Sequence, residues 1–223
     1  MKQILLSIIT IILLASCAPA PIEVITTVEV IKYVTATPIP LELRPVHITG
    51  SGDDLVSINK SDTAAVIDIK YSGDGNFVVQ TYDKNNEQIE LLVNTIGSYS
   101  GRLLMDIGDT DHTERIQVES EGKWDITITP LETANIKIIG LPGVYSSSGD
   151  NIFMFSPGNV DYASIEAKQS RGNFAVYVWS EGQGRDLIVN EIGAYTGKII
   201  LPRDAFLIEV FAEGPWSIEV QDK

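Results

Sequence analysis

An internal repeat limits the folds open to this chain more than any other feature. SGDDL at 51–55 recurs as SGDNI at 148–152, and GNFVV at 75–79 as GNFAV at 172–176, both at an offset of 97. LLVNTIGSYSGRLL at 91–104 returns as LIVNEIGAYTGKII at 187–200, and EGKWDITI at 121–128 as EGPWSIEV at 213–220. The offset falls from 97 through 96 to 92, and it shrinks only between matched blocks, as loop shortening requires. Self-similarity at one period means one structural unit written twice. Each copy spans the length of a small β domain.

Within each copy the apolar period is two. Phe77, Val79 and Thr81 alternate with Val78, Gln80 and Tyr82, and Trp124, Ile126 and Ile128 alternate with Asp125 and Thr127. Phe174, Val176, Val178, Trp216, Ile218 and Val220 repeat the pattern in the second copy. Alternation of this kind describes antiparallel strands with one buried face. Turn signals such as Gly52-Asp53, Asn85-Asn86 and Glu121-Gly122 interrupt it at strand-length intervals, and no long segment carries a helical period. The expected fold class is all-β: two tandem antiparallel β-sandwich domains of seven to eight strands each, residues 46–133 and 134–223. The shared motif N-x-I-G-x-Y-x-G reads as architecture. Gly97 and Gly193 supply bends. Tyr99 and Tyr195 are expected to pack over a sandwich edge with the hydroxyl on a backbone carbonyl.

The N-terminus carries a different message. Met1-Lys2 precedes a nearly unbroken apolar run from Ile4 to Ala15. That run is shorter than the roughly 20 residues a transmembrane helix needs and has the proportions of a signal-peptide core. It ends in Leu14-Ala15-Ser16-Cys17, and Cys17 is the sole cysteine. This stretch resembles the lipobox of bacterial lipoproteins. The resemblance implies a signal peptide over 1–16, cleavage before Cys17, acylation of Cys17, and an extracytoplasmic protein held to a bacterial membrane through its N-terminal lipid. Residues 17–45 follow as the lipidated cysteine and an extended linker, with Pro19, Pro21, Pro38, Pro40 and Pro45 favouring stretched backbone.

The repeated body, with its G-N-F, L-L-V-N-x-I-G-x-Y-x-G and E-G-x-W-x-I blocks, resembles repeat modules of bacterial secreted and surface proteins. Its strand layout is also similar to β-sandwich domains appended to secreted peptidases. These likenesses imply fold and location, and no reaction.

Chemistry is sparse. Sixteen Lys and Arg against 30 Asp and Glu give a net charge of −14, which argues against nucleic acid as a partner. A single cysteine excludes an intrachain disulfide framework. Gly97-Ser98-Tyr99-Ser100-Gly101 is not a nucleophile elbow, because its central residue is a tyrosine. His47 and His112 have no counterparts in the other copy. We expect no catalytic residues and no cofactor. Asp106, Asp109 and Asp111 in DIGDTDH are weak candidates for Ca²⁺, although the spacing is not that of an EF-hand; a solvated acidic loop is the simpler reading.

One candidate recognition surface remains. With Phe174, Val176 and Val178 facing the core, Tyr177 and Trp179 project together from the opposite face, about 7 Å apart along the strand. Tyr82 is their first-copy equivalent. Such aromatics suit a cell-wall glycan or a surface protein; the plainer alternative is that the other domain covers them. The sequence therefore reads as a lipid-anchored surface protein with two binding or spacer modules. A carboxylate-dependent glycan or peptide hydrolase and a Ca²⁺-stabilised adhesin stand as alternatives.

Overall fold

The computed structural model describes residues 43–107, 112–156, 160–168, 170 and 172–223, all within one compact unit. The first copy supplies β1 (Val46–Ser51), β2 (Asp54–Ser57), β3 (Ala65–Ser72), β4 (Asn76–Tyr82), β5 (Gln88–Ile96), β6 (Tyr99–Met105), β7 (Arg115–Ser120) and β8 (Lys123–Pro130). The second opens with a short extra strand, β9 (Ile138–Ile139). It continues with β10 (Gly143–Ser148), β11 (Asn151–Phe155), β12 (Val160–Ala167), β13 (Asn173–Ser180), β14 (Gly184–Ile192), β15 (Tyr195–Ile200), β16 (Ala205–Ala212) and β17 (Pro215–Asp222). The described residues form an all-β fold, as the alternation requires.

Each copy forms two sheets, and the strand orders correspond. The first copy has β1-β8-β3-β6 and β2-β7-β4-β5; the second has β10-β17-β12-β15 and β14-β13-β16-β11-β9. Registers coincide as well: Ile69 faces Gly101 and Ile126 in the first copy, and Ile165 faces Gly197 and Ile218 in the second. The departure is β9, which runs parallel to β11 and lengthens one sheet. Two residues are too few for any periodic signal.

Period two does the packing. In β8 every second residue is buried from Trp124 to Pro130, and those side chains meet Phe77, Val79, Ile116 and Val118 from the facing sheet. Phe153, Phe174, Val176, Ile208 and Val210 meet Ile165, Trp216, Ile218 and Val220 in the second copy. Burying one such aliphatic or aromatic side chain contributes about 1.5–3 kcal/mol.

A third apolar cluster lies outside both cores. Val66 on β3 and Leu104 on β6 turn away from the first core and pack against Ile152 on β11 and Leu207 on β16, with Ile136 from the connecting segment between them. All five are buried. The outer face of one module's sheet is thus seated on the outer face of the other's, and the two modules share a seam.

Candidate functional site

The shared motifs interlock in the same way in both copies. In the first, the Trp124 indole N–H donates to the Gly52 carbonyl (3.0 Å), and Asp53 Oδ1 accepts the Ser120 amide (2.8 Å). In the second, Trp216 donates to the Gly149 carbonyl (2.9 Å), and Asp150 Oδ1 accepts the Ala212 amide (2.8 Å). S-G-D and E-G-x-W are therefore two halves of one device. The glycine sits at positive φ, +77° at Gly52 and +72° at Gly149, which a side chain would disfavour. Its carbonyl anchors the tryptophan, and the aspartate caps a neighbouring strand. A similar economy explains Y-x-G: the tyrosine ring lies over the glycine two residues on, where a Cβ on Gly101 or Gly197 would strike the hydroxyl.

The second aspartate has a further partner. Asp150 Oδ2 accepts the Tyr99 hydroxyl at 2.6 Å, across the seam. Tyr99 thus bonds a carboxylate of the other module, not the backbone carbonyl expected of a tyrosine corner. Beside it the Arg102 amide donates to the Asp150 carbonyl (3.0 Å), and the Arg102 guanidinium forks onto both oxygens of Asp68 while reaching the Asn135 carbonyl. Burial raises the Asp150 carboxyl above its ordinary range, and the bonds from Tyr99 and the Ala212 amide offset part of that. Burial, then the Asp150 charge, raises the Tyr99 phenol.

Tyr177 and Trp179 lie at this same seam. Arg185 on β14 places its guanidinium carbon 3.7 Å from the Tyr177 ring centroid and 5.8 Å from that of Trp179, with Phe211 at 5.5 Å. The same guanidinium pairs with Glu209 on β16 (3.1 Å) and with Glu90 on β5 of the first module (3.6 Å). Glu209 is 2% exposed. Its carboxylate accepts the Leu104 amide of edge strand β6 (3.2 Å) and stands 3.5 Å from the Trp179 indole nitrogen. Burial pushes this carboxyl up, opposed by Arg185 and the Leu104 amide. An edge strand leaves backbone donors unpaired; here a carboxylate from the next module takes one. Both aromatics are half-buried: Trp179 packs against the seam cluster of Val66, Leu104 and Ile152, and Tyr177 lies against Arg185 and Phe211 of its own module.

The other candidates are dispersed. Tyr82 is half-buried on β4 and is not part of the seam's apolar cluster; its hydroxyl donates to Gln80 Oε1 (3.3 Å). Asp106 is buried, at φ +54°. Its carboxylate is taken up by Lys60 Nζ (2.7 Å), the Thr113 amide (3.0 Å) and the Thr113 hydroxyl (2.7 Å). Those partners use the oxygens a cation would need. Asp109, Asp111 and Cys17 lie outside the described residues. No group of three or more His, Cys, Asp or Glu side chains is placed to hold a metal among the described residues. His47 pairs with Asp125 at the surface (2.9 Å), and His112 is exposed. A groove of about 620 Å³ opens next to the Tyr99–Asp150 contact, between Asn94, Ser98, Asn173 and Glu213.

No protein-family model and no curated protein sequence matches the chain. Among solved structures it is similar to a conserved protein of unknown function from Pseudomonas aeruginosa PAO1, at 10% identity over 80% of each chain and a TM-score of 0.24. A second likeness is to a chain in the structure of Sulfolobus Turreted Icosahedral Virus, at 16% identity over 87% of this chain and 99% of that one, with a TM-score of 0.26. A third is to the regulatory subunit of a cAMP-independent protein kinase A from Trypanosoma cruzi bound to guanosine, at 9% identity over 75% and 72%, with a TM-score of 0.22. At such TM-scores these likenesses carry no functional argument.

Proposed function

We propose that the chain is a lipid-anchored extracytoplasmic protein of a bacterial surface, whose duplicated β-sandwich modules act together as a non-enzymatic binding or spacer body. The seam carries this reading. The features that would most readily have served a ligand or a reaction are Tyr177 and Trp179, Glu209 with Arg185, and Asp150 with Tyr99. All but Tyr177 contact the other module directly, and Tyr177 lies against Arg185, which pairs across the seam with Glu90. A scaffold that spends its aromatic and acidic side chains on internal docking is suited to extending a rigid surface away from a membrane. Cys17 supplies the anchor in this reading, since several acyl chains hold a protein firmly where one does not.

Growth with an alkyne-tagged fatty acid tests the anchor. Label is expected on the wild-type chain and absent from Cys17→Ser, which should appear in the soluble extracytoplasmic fraction. Equal labelling of both forms would refute the reading. A glycan array and a pull-down from surface extract then separate binding from spacing: capture of one ligand class assigns binding, and two clean negatives assign a spacer.

A further inference from the structure

The seam has two sides, and the repeat presents each of them twice. The first module docks through β3 and β6; the second receives it on β11, β13 and β16. By register, the second module's copy of the docking side is β12 and β15, with Tyr162 in the place of Val66, Lys198 in that of Arg102 and Ile200 in that of Leu104. The first module's copy of the receiving side is β2, β4 and β7, with Leu55 in the place of Ile152, Gln117 in that of Glu209 and Tyr82 in that of Trp179. Both spare sides lie bare among the described residues. Ile200 is 83% exposed where Leu104 is 4%, and Leu55 is 56% exposed where Ile152 is 1%.

We infer that the β12–β15 side of one molecule docks on the β2–β7 side of a second copy of this chain, repeating the internal seam as a head-to-tail contact. The polar groups match as well as the apolar ones. Tyr99 donates its hydroxyl to Asp150 within the chain; Tyr195 and the exposed Asp53 are the corresponding donor and acceptor, and no hydrogen bond joins either carboxylate Oδ2 of Asp53 or the Tyr195 hydroxyl to another described residue. Gln117 spends its amide nitrogen on Glu119 (3.0 Å), which leaves its carbonyl oxygen to accept the β15 edge amide as Glu209 accepts that of Leu104. Lys198 comes opposite Asp53-Asp54, where the second copy of the motif has only one acid, Asp150-Asn151. That places opposite charges together in a chain whose net charge of −14 otherwise opposes association. The receiving side is more polar than its internal counterpart, with Arg115 for Leu207 and Gln80 for Tyr177, so the contact between molecules is weaker than the seam and grows with local concentration. A contact of two different sides is heterologous, so it joins successive copies head to tail, into a ring where the rotation between copies closes and an open chain where it does not.

The test is photo-crosslinking of the purified full chain carrying benzoylphenylalanine in place of Ile200. The expected result is a ladder at integral multiples of the monomer mass, with crosslinks mapping to Asp53–Ser57 or Arg115–Glu119. Adding Leu55→Arg, an exposed substitution whose folding is checked by thermal melting, should reduce the dimer band at least several-fold. No dimer band across the accessible concentration range, crosslinks to any other face, or a ladder indifferent to Leu55→Arg would overturn the inference.

Discussion

Tyr99 and Tyr195 occupy the same place in the same motif, yet only one hydroxyl crosses the seam, and this makes a controlled experiment. Tyr99→Phe removes a 2.6 Å bond to a part-buried carboxylate whose other oxygen already accepts the Ala212 amide. A hydrogen bond to a charged group contributes about 1.5–3 kcal/mol, and an orphaned buried acceptor costs about 1–3 kcal/mol. Water reaches part of this site, so the lower half applies, and a loss of about 1–2 kcal/mol is expected. For a body of this length each kcal/mol lowers Tm by about 2–4 °C, so Tyr99→Phe should melt some 2–8 °C below wild type. Tyr195→Phe keeps the ring stacked near Phe174 and gives up a hydroxyl with no partner among the described residues; its loss should stay under about 0.5 kcal/mol, as for ordinary surface changes. Calorimetry of the two variants and wild type, measured dilute, decides the matter. Equal losses would mean that the motif, and not the seam, owns the hydroxyl.

Further outcomes follow from the same contacts. Leu104→Ala should cost about 2–4 kcal/mol in chemical denaturation by opening a cavity in the seam, whereas Leu55→Ala should cost under about 0.5 kcal/mol. Burial raises the Glu209 and Asp150 carboxyls above their ordinary values in the fold; such groups bind protons more readily folded than unfolded, so their contribution to stability grows as pH falls from neutral toward the ordinary carboxylate range. Glu209→Gln should flatten that slope of Tm against pH, and an unchanged slope would refute burial of the charge at the seam. Asp106→Asn keeps the shape and removes the counter-charge of the Lys60 ammonium, whose side chain is 5% exposed and which keeps its bonds to the Ser61 and Thr63 carbonyls. Losing a charge-assisted bond of this kind costs about 1.5–3 kcal/mol, and wild-type Tm should be the same with and without EDTA.

The sequence carried the strand content and the pairing order because both follow from local period and from the repeat. Phe77 and Phe174 point inward for the same reason, and Ile69 and Ile165 meet glycines three strands further along the chain by the same register. The use of the outer faces was harder to read. Tyr177 and Trp179 are apolar on an outward face, and that pattern alone fits a ligand surface or a covered one equally. A signal did exist in the asymmetry between copies. Tyr177, Trp179, Leu207 and Ile152 replace Gln80, Tyr82, Arg115 and Leu55, so one outer face has become more apolar than its twin. The docking side gave no such hint, because Val66 and Leu104 face apolar equivalents in Tyr162 and Ile200. Asp106 was misleading for another reason: its partner Lys60 lies in a distant loop, and no spacing rule joins them. The Tyr99–Asp150 bond links residues in blocks whose repetition suggested a purely intramodular role.

The central claim is that two copies of one module are locked into a single body by a buried seam. Differential scanning calorimetry of the dilute chain addresses it directly. One cooperative transition, with calorimetric and van't Hoff enthalpies in agreement, is expected for wild type, and Leu104→Ala should shift it downward as a whole or split it. Two independent transitions in wild type, each with about half the enthalpy and neither moved by Leu207→Ala together with Leu104→Ala, would contradict it.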